Sequence, residues 1–412
     1  MRVLLINNCH FRRGGADVVY LNTGELLRKN GHEVSYFSTR STQNESTDFS
    51  KYFIEDIDAL KLSFTRQTIN TPRKLYSGEA KRNLNKLIEN ERPDVAHIHL
   101  YKGGLTASIL PVLKRNHIPT VITLHDFSLL CPRNIFLNGT DDICEKCLTS
   151  HPFNCVIYRC NRKNIFYSII NFIEFEINNK FFRPEFYFDR IISVCKFNYE
   201  KHQIKSNLRE RLVLLYNFSK ELDDNLPDHK KGGYFLFYGR LSKEKGILTL
   251  IDAWQKLGSR FKLKIAGKGD LLNEINRRIE LQNEGNIELL GFKSGSELHN
   301  LIKHSSFIIV PSECYENNPM TIIEGYSLGK PVIASRVGGI PEIVSEGETG
   351  FLFELKNIDD LVSKVVHANE LSDREYEFIS KNARQFAEKN FSSGKHYLRL
   401  MGIYSEAIGK NH

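Results

Sequence analysis

Short apolar segments alternate with amphipathic helical patterns along nearly all of this 412-residue chain. Parallel strands require such alternation, because each strand is joined to the next by a crossover that is usually a helix. The pattern therefore predicts an α/β fold whose parallel sheets are covered by helices on both faces. At roughly 150 residues per domain, a chain of this length is expected to form two such domains.

The predicted strands fall into two groups, separated by a charged segment that lacks apolar periodicity. The first group comprises Arg2–Asn7, Glu33–Ser38, Val95–Leu100, Thr120–Leu124, Arg190–Val194 and Leu212–Tyr216. The second comprises Tyr234–Tyr238, Phe261–Ala266, Ile287–Leu290, Phe307–Val310 and Val332–Ala334. Residues 218–233 between the groups are predicted to be a linker. The predicted domains are therefore 1–217 and 234–385, followed by a strandless C-terminal helix over 386–412.

The composition excludes several classes of protein. Hydrophobic residues make up 41% and charged residues 26% of the chain, which is ordinary for a soluble globular protein. The N-terminal segment lacks the apolar core of a signal peptide, and no stretch reaches the ~20 uninterrupted apolar residues that a membrane-spanning helix needs. We therefore expect a cytoplasmic protein. The formal net charge of +8 favours anionic partners: nucleotide phosphates, lipid headgroups or nucleic acid.

The densest polar motif is Pro311–Ser335, which follows a predicted buried strand. Its candidate ligand-binding residues are Glu316, Asn318, Pro319, Met320, Thr321 and Glu324. Asn318 followed by Pro319 predicts the N-cap and first turn of a helix. A helix N-terminus suits a diphosphate, and a carboxylate on each side can accept hydrogen bonds from sugar or ribose hydroxyls. The alternative is that both glutamates are solvated and that the Asn-Pro pair only caps a helix.

A second motif, Tyr238–Gly246, directly follows the first predicted strand of the second domain. Arg240 and Lys245 stand on its loop, where cations can neutralise a diphosphate as it becomes a leaving group. The alternative is an ordinary basic loop whose cations are solvated.

Glycines and a histidine follow other predicted strands. Gly15, with Gly14, stands ahead of a helix predicted over Ala16–Lys29, where the backbone can approach a phosphate or sugar closely. His125 follows a first-domain strand and can donate a hydrogen bond to a sugar hydroxyl, with Asp126 as a candidate base. For His125 the alternative is a histidine whose hydrogen bonds serve the fold. Loops of this kind gather at the carboxyl ends of parallel strands, where α/β proteins bind ligands.

Taken in order, these motifs resemble the retaining glycosyltransferases of family 4, the group 1 enzymes with the GT-B fold, over nearly the whole chain. The most specific part is the E-x7-E pair of Glu316 and Glu324, supported by the GRL-x-x-x-K-G element around Arg240 and Lys245. The resemblance implies two Rossmann-like, doubly wound domains facing across a cleft. It also implies that the C-terminal helix returns to the first domain.

The same resemblance implies a role for each motif. Arg240 and Lys245 would bind the donor diphosphate. Glu316 would lie near the transferred sugar and Glu324 near the ribose. His125 matches the active-site histidine of the family, and Gly15 matches its N-terminal glycine loop. Gly15 and Asn318–Thr321 would bind the donor. No cofactor or active-site metal is implied, because the cations and the helix dipole take over that charge role.

The implied activity is transfer of a sugar from a nucleotide-diphosphate sugar, UDP- or GDP-linked, with retention of configuration. The acceptor would be a saccharide or a lipid-linked saccharide in bacterial surface polysaccharide biosynthesis, and no nucleic-acid partner is expected. Many family members carry Phe-Gly after the first glutamate, whereas this chain has Asn317-Asn318-Pro319, which leaves the donor sugar open. Two alternatives remain: a non-catalytic platform ordered by zinc, and a nucleotide-sugar epimerase of the same fold, against which the E-x7-E pair argues.

Four cysteines lie in an insertion predicted over about 131–188: Cys144, Cys147, Cys155 and Cys160. The first two have zinc-ligand spacing, and four thiolates can close a structural tetrahedral site. The alternative is a set of free thiols in a surface loop, because the second pair is more widely spaced than usual. Disulfides are not expected in a chain without an export signal.

The segment Ile165–Phe188 is rich in aromatic and aliphatic residues and is interrupted by Asn, Glu and Lys. Such a helix can lie on an anionic bilayer without crossing it. A core helix is the alternative, and the glutamates weaken the membrane interpretation. Peripheral contact at the cytoplasmic face of the membrane would suit an enzyme whose acceptor is carried on a lipid.

Overall fold

The computed structural model describes residues 1–56, 73, 75–220, 229–282 and 285–409. The chain forms two compact units, one made of Met1–Leu215 with Gly394–His412 and the other of Tyr216–Ser393. The first stretch of the first unit ends at Leu215, two residues before the predicted end at 217. The second unit ends at Ser393, eight residues after the predicted end at 385. The predicted linker, 218–233, belongs to the second unit where it is described.

The first unit is built on a six-stranded parallel sheet with the order β2-β1-β5-β6-β7-β8. Its strands are β1 (Arg2–Ile6), β2 (Glu33–Phe37), β5 (Val95–Ile98), β6 (Thr120–Leu124), β7 (Arg190–Ser193) and β8 (Leu212–Leu214). A separate two-stranded sheet pairs β3 (Thr39–Arg40) with β4 (Ile54–Glu55). Every residue of β5 and β6 is buried, as expected for central parallel strands covered on both faces.

The helices of the first unit cover this sheet and fill the insertion between β6 and β7. They are α1 (Gly15–Lys29), α2 (Gly78–Glu91), α3 (Leu110–Arg115), α4 (Lys146–Thr149), α5 (Asn154–Ile157), α6 (Ile165–Ile177) and α7 (Lys196–Gln203). The last helix of the chain, Ser393–Gly409, packs its apolar side against the core around Val3 and Leu5. Its packing places nearly all of that helix in the first unit although the preceding helix belongs to the second.

The second unit has a six-stranded parallel sheet with the order β11-β10-β9-β12-β13-β14. Its strands are β9 (Phe235–Arg240), β10 (Leu263–Lys268), β11 (Ile287–Gly291), β12 (Ile308–Val310), β13 (Val332–Ser335) and β14 (Gly350–Phe353). Renumbered within the unit, this order is 3-2-1-4-5-6, which is the order of a dinucleotide-binding Rossmann sheet.

The helices of the second unit lie on both faces of its sheet. They are α8 (Ile247–Leu257), α9 (Leu272–Gln282), α10 (Gly295–Lys303), α11 (Met320–Ser327), α12 (Ile340–Ile343), α13 (Ile358–Glu370) and α14 (Asp373–Asn390). The helix that follows them, Ser393–Gly409, is α15 and belongs almost entirely to the first unit. Short turns of 3-10 or π helix cover Asp48–Tyr52, Ala107–Ile109, Asn178–Phe182, Pro184–Phe186, Ser206–Arg211, Lys243–Lys245 and Gly258–Arg260. In the parts of the chain that the structure describes, none of the helices combines the length and the apolarity that crossing a bilayer requires.

All eleven predicted strands are present, with ends shifted by at most two residues. The prediction missed β14, a four-residue strand that begins at a glycine and lies at the edge of the sheet beside β13. It also missed β3 and β4, which are two residues long and carry too little sequence for a period of two to be visible.

Candidate active site

The strand order of the second unit brings two predicted motifs together. β9 and β12 are neighbours, but the chain continues from β9 to one side of the sheet and from β12 to the other. Such a reversal opens a crevice at the carboxyl ends of the two strands, where doubly wound proteins bind ligands. Arg240 ends β9, and the loop that begins at Pro311 follows β12. The fold therefore sets the basic loop beside the loop that carries Glu316.

The Lys245 ammonium donates a hydrogen bond to Oε1 of the Glu316 carboxylate. Ser312 Oγ donates to the same oxygen at 2.7 Å, and only 9% of the Glu316 surface is exposed. Burial alone would raise the pKa of Glu316, but the charge of Lys245 and the two hydrogen bonds hold this pKa below its usual range. Burial alone would lower the pKa of Lys245, but Glu316 holds it above its usual range. Both groups are therefore charged at neutral pH.

Arg240 is more open to solvent than Lys245. Its guanidinium pairs with the Glu244 carboxylate at 3.4 Å. Ion pairs as exposed as this one are weak, so an anionic ligand can take the place of Glu244. The backbone oxygen of Glu244 accepts a hydrogen bond from Glu313 N at 2.8 Å, which ties the basic loop to the loop of Glu316.

Glycines allow these loops to approach one another. Gly246 has a φ of +67°, and a Cβ there would overlap the carbonyl oxygen of Pro311. Gly338 has a φ of +58°, and a Cβ there would overlap the carbonyl oxygen of Glu316. That same oxygen accepts a hydrogen bond from Gly339 N at 2.6 Å. The glycine-rich segment after β13 thus serves to hold the backbone of Glu316.

The helix after Glu316 begins one residue later than predicted. The residue that precedes its first turn is Pro319, whose ψ of 122° is extended, and α11 starts at Met320. The prediction that Asn318 is the N-cap was therefore wrong. Asn318 is engaged elsewhere: its Oδ1 accepts a hydrogen bond from Asn217 N at 2.8 Å, and its backbone oxygen accepts one from Asn217 Nδ2 at 3.1 Å.

The start of α11 still faces the end of β9. The Tyr238 hydroxyl donates to the Thr321 carbonyl oxygen at 2.8 Å. Glu324 lies on the second turn of α11 and is partly buried, as is Met320. The first backbone N–H groups of a helix lack intrahelical acceptors and carry its positive dipole end, so this helix start can bind an anion.

The first unit has a corresponding reversal between β1 and β5. α1 begins at Gly15 after β1, and Gly15 is exposed at the helix start. Asp17 shapes this turn, because its Oδ2 accepts from Gly14 N at 3.1 Å and its Oδ1 accepts from Asn7 Nδ2 at 2.8 Å. The predicted glycine loop therefore lies at the carboxyl edge of this sheet, as does His125 after β6.

His125 belongs to a group of three histidines. His99 Nδ1 and His125 Nε2 share a hydrogen bond of 2.9 Å, and their rings stack with centroids 5.2 Å apart. His97 Nδ1 contacts the Tyr404 hydroxyl and His97 Nε2 contacts Thr123 Oγ1, each at 2.7 Å. Burial lowers the pKa of His125 and that of His97 to about 3. The imidazoles are therefore neutral at pH 7 and can act as hydrogen-bond donors or acceptors.

A polar pocket of about 230 Å³ lies beside these histidines. Residues of its wall include Asn8, Arg13, His99, Tyr101, Lys102 and Asp126. Asp126 accepts a hydrogen bond from Ser128 N at 2.9 Å, and Lys102 donates one to the Ser128 carbonyl oxygen. Burial raises the pKa of Asp126 and lowers the pKa of Lys102.

Two of the residues that line this pocket each carry a buried polar atom that has no hydrogen-bond partner among the described residues. These atoms are His99 Nε2 and the Tyr101 hydroxyl, and both side chains are buried. Buried polar atoms without a partner are costly, so they mark places where a ligand or water binds. The sequence analysis singled out His125 and missed His99, Tyr101 and Lys102. The available signal was the run of polar residues that follows the apolar strand β5.

Three of the four predicted zinc ligands, Cys147, Cys155 and Cys160, pack in one small cluster. Cys155 and Cys160 are buried and pack with Val156, whereas Cys144 and Cys147 are partly exposed. The eight cysteines all lie within the described residues and form no disulfide bond. Within the described ranges, no group of three or more His, Cys, Asp and Glu side chains is arranged to hold a metal ion. The structural zinc therefore stays a prediction, which the metal content of the purified protein can test.

Two parallel sheets that each reverse their strand order and carry polar loops at the carboxyl edge define a protein with two nucleotide-binding-type α/β units. HepE of Anabaena, crystallised with UDP, has the same fold: the TM-score is 0.66 at 16% identity, over 98% of this chain and 100% of that one. Residues 218–386 match the family Glycosyl transferases group 1, and residues 13–148 match Glycosyltransferase Family 4. The chain belongs to the group 1 glycosyltransferases with the GT-B fold.

Two relatives that are named as glycosyltransferases support this membership. An uncharacterised glycosyltransferase of Methanocaldococcus jannaschii is 38% identical over 53% of this chain and 60% of its own length. The UDP-Gal:α-D-GlcNAc-diphosphoundecaprenol α-1,3-galactosyltransferase of Escherichia coli is 26% identical over 46% of this chain and 49% of its own length. The matches thus span about half to three fifths of these two relatives.

Proposed function

We propose that this protein transfers a sugar from a nucleotide-diphosphate sugar to a hydroxyl of a saccharide or lipid-linked saccharide acceptor, with retention of configuration at the transferred carbon. The bond between that carbon and the β-phosphate oxygen breaks, and the acceptor oxygen bonds to the same carbon. The acceptor proton and the nucleoside diphosphate leave. The observation that carries the proposal is the buried Lys245–Glu316 pair, set beside Arg240 at the strand reversal of the second unit.

Two cations near a diphosphate favour its departure, because they stabilise the negative charge that develops on the leaving group. Lys245 and Arg240 would supply this charge, with the start of α11 as a third positive group. Glu316, kept ionised by Lys245, would accept hydrogen bonds from the sugar, and Glu324 would accept them from the ribose. In this proposal no metal or other cofactor is required for transfer.

UDP is the favoured nucleotide of the donor. HepE, whose fold this chain shares, was crystallised with UDP, and the name of the Escherichia coli relative specifies a UDP-linked donor. The same name specifies an acceptor on a diphosphate lipid. A surface polysaccharide or glycolipid pathway is the setting that these relatives favour.

The polar pocket of the first unit is the proposed acceptor site. Its volume of about 230 Å³ is of the order of one sugar ring, and it is lined by polar residues that include His99, Tyr101, Lys102 and Asp126. Asp126, whose pKa is raised by burial, is placed to accept a proton from an acceptor hydroxyl. His125 would act through its hydrogen bond to His99.

Thermal unfolding of the purified protein with UDP, GDP, ADP and their sugar conjugates tests the donor. A ligand of the folded state raises the apparent unfolding temperature, so we expect UDP or a UDP-sugar to raise it most. Arg240→Ala and Lys245→Ala should remove the shift, while Lys256→Ala, which removes an exposed cation paired with Asp359, should keep it. No shift with any nucleotide would favour the non-catalytic platform instead.

A further inference from the structure

The exposed residues of α6 are all isoleucines. Ile165, Ile169 and Ile173 are 53%, 38% and 41% exposed, and they recur every four residues, so they lie on one side of the helix. We call these three residues the isoleucine face. Beyond the end of the helix, Phe181 is 80% exposed. A run of large apolar side chains in water costs free energy unless a partner covers it.

One acidic residue of this segment, Glu176, lies on the side of the isoleucine face, because it follows Ile169 by seven residues and Ile173 by three. Glu176 pairs with Lys180 at 2.6 Å, and its side chain is only 18% exposed. Glu174 is partly buried, and its charge acts on the Lys102 ammonium in the wall of the pocket. Glu185 is buried. Lys180 therefore offsets the charge of Glu176, and the other two glutamates are partly or fully buried.

Exposed cations stand at both ends of the isoleucine face. Arg162 and Lys163 precede α6, and Lys180 and Arg183 follow it. The Arg162 guanidinium lies over the Tyr167 ring at 5.0 Å, and the Arg183 guanidinium lies over the Phe186 ring at 4.3 Å. Long basic side chains around an apolar strip are typical of helices that lie in a lipid interface, with the charges at the headgroups.

A second exposed apolar group adjoins α6. Phe153 and Ile157, beside and on the short helix α5, are also exposed. The rings of Phe153 and Phe172 meet edge to face with centroids 5.3 Å apart, which joins α5 to α6. Beneath them, Cys155, Val156 and Cys160 form a small buried cluster. Most of this surface lies in residues 149–217, which neither matched family covers.

We propose that the isoleucine face, with Phe181 and the four flanking cations, docks on the surface of a membrane rich in anionic lipid. With 13 residues, α6 is too short to cross a bilayer and would lie parallel to its surface. The isoleucines enter the boundary between headgroups and acyl chains, and the cations bind lipid phosphates. The basic flanks favour anionic lipid over a second copy of this chain, because two copies would bring like charges together. The lipid-linked acceptor of the proposed function gives this docking a purpose, but the binding itself does not depend on transfer.

Vesicle flotation of the full-length protein tests the proposal. We expect it to float with phosphatidylcholine vesicles that contain phosphatidylglycerol, much less with phosphatidylcholine alone, and less as salt is raised. The double variant Ile169→Glu with Ile173→Glu should weaken vesicle binding at least about tenfold, because carboxylates enter the anionic interface. Arg162→Gln with Arg183→Gln should weaken binding only to the anionic vesicles.

Leu398→Glu is the matched control, because Leu398 is 71% exposed on α15 of the same unit, and it should leave vesicle binding unchanged. All variants should keep the thermal shift with UDP, so a loss of vesicle binding is separable from a loss of folding or of donor binding. The proposal is overturned if the wild-type protein does not bind anionic vesicles, or if the isoleucine variants bind them equally well. It is also overturned if those variants only convert a dimer into a monomer.

Discussion

Glu316 is held by contacts that only a folded chain can provide. Lys245 and Ser312 reach its carboxylate from different loops, and Gly338 and Gly339 meet its backbone oxygen. The charge state of the carboxylate follows from these neighbours, since burial alone would have raised its pKa. A single substitution of Glu316 should therefore lower the rate of sugar transfer more than it lowers the free energy of unfolding.

Glu316→Gln tests this directly. The amide keeps the shape of the side chain but cannot hold a negative charge beside Lys245. We expect turnover of the donor sugar to fall by roughly a hundredfold or more, with UDP binding retained. Steady-state kinetics with UDP-sugars provide the measurement. Glu348→Gln, at an exposed position, should keep the wild-type rate, and full activity in the Glu316 variant would rule out the proposed role.

The buried histidines predict how stability depends on pH. His97 has a pKa of about 3 in the folded protein, whereas an unfolded histidine titrates near 6.5. The unfolded state therefore binds the proton first as the pH falls, and stability declines from about pH 6.5 towards pH 3. At pH 5 the loss is about 2 kcal/mol for this one residue. Chemical denaturation between pH 7 and 5 should show a smaller decline for His97→Gln, and an unchanged decline for His304→Gln, a change at an exposed site.

At the scale of elements, glycine loops after the strands control how closely the site can assemble. Gly338 and Gly347 both have positive φ, of 58° and 72°. A Cβ at Gly338 would overlap Glu316, whereas a Cβ at Gly347 meets nothing within 4 Å. The two glycines therefore separate the cost of backbone strain from the cost of displacing the site.

Gly338→Ala and Gly347→Ala should both lower the free energy of unfolding by roughly 1 kcal/mol from strain, with a further loss for Gly338→Ala. Only Gly338→Ala should also reduce donor turnover strongly, because it must move the backbone of Glu316. Parallel measurements of unfolding and of kinetics on the two variants distinguish the effects. Equal activity in both would mean that the loop relaxes without moving the carboxylate.

α15 is tied to the histidine group by one buried hydrogen bond. The Tyr404 hydroxyl contacts His97 Nδ1 at 2.7 Å, and both residues are buried. Tyr404→Phe leaves His97 Nδ1 without that partner and should cost about 1–3 kcal/mol of unfolding free energy. Tyr397 lies on the same helix as Tyr404, and its hydroxyl makes a partly exposed contact with His32. Tyr397→Phe removes this contact and should cost less unfolding free energy. Urea denaturation of the two variants would measure the difference, and an equal cost would contradict it.

At the scale of the whole molecule, helix α15 completes the hydrophobic core of the first unit. α15 brings Leu400, Ile403, Tyr404 and Ala407 into the core of the first unit, against Val3 and Leu5 at the start of the chain. These side chains are almost fully buried. The first unit therefore cannot close its core before the last helix has been synthesised.

A chain that ends at Ser393 should lose the stability of the first unit and keep that of the second. The truncation removes several large buried side chains, each worth about 2–5 kcal/mol in such a core. We expect the first unit to unfold at a lower temperature or to aggregate, while the thermal shift with UDP persists. A chain that ends at Gly409 is the control and should behave as wild type. If the chain that ends at Ser393 loses the UDP shift while the control keeps it, the second unit does not fold independently of the first.

The sequence alone predicted the α/β class, eleven of the strands and the positions of Glu316, Lys245 and Arg240, because periodicity and strand-end motifs are local properties. It could not predict that Pro319 rather than Asn318 precedes α11, since Asn318 is drawn away by contacts to a residue 101 positions earlier. The polar residues after β5 did not by themselves single out His99 and Tyr101, because the pocket that these residues line also takes residues from other strands and loops. The sequence also could not show that Glu174 is partly buried and Glu185 is buried. Only the packing of α6 decides which side of the helix meets solvent, and burial of charge is a property of the fold rather than of the residue.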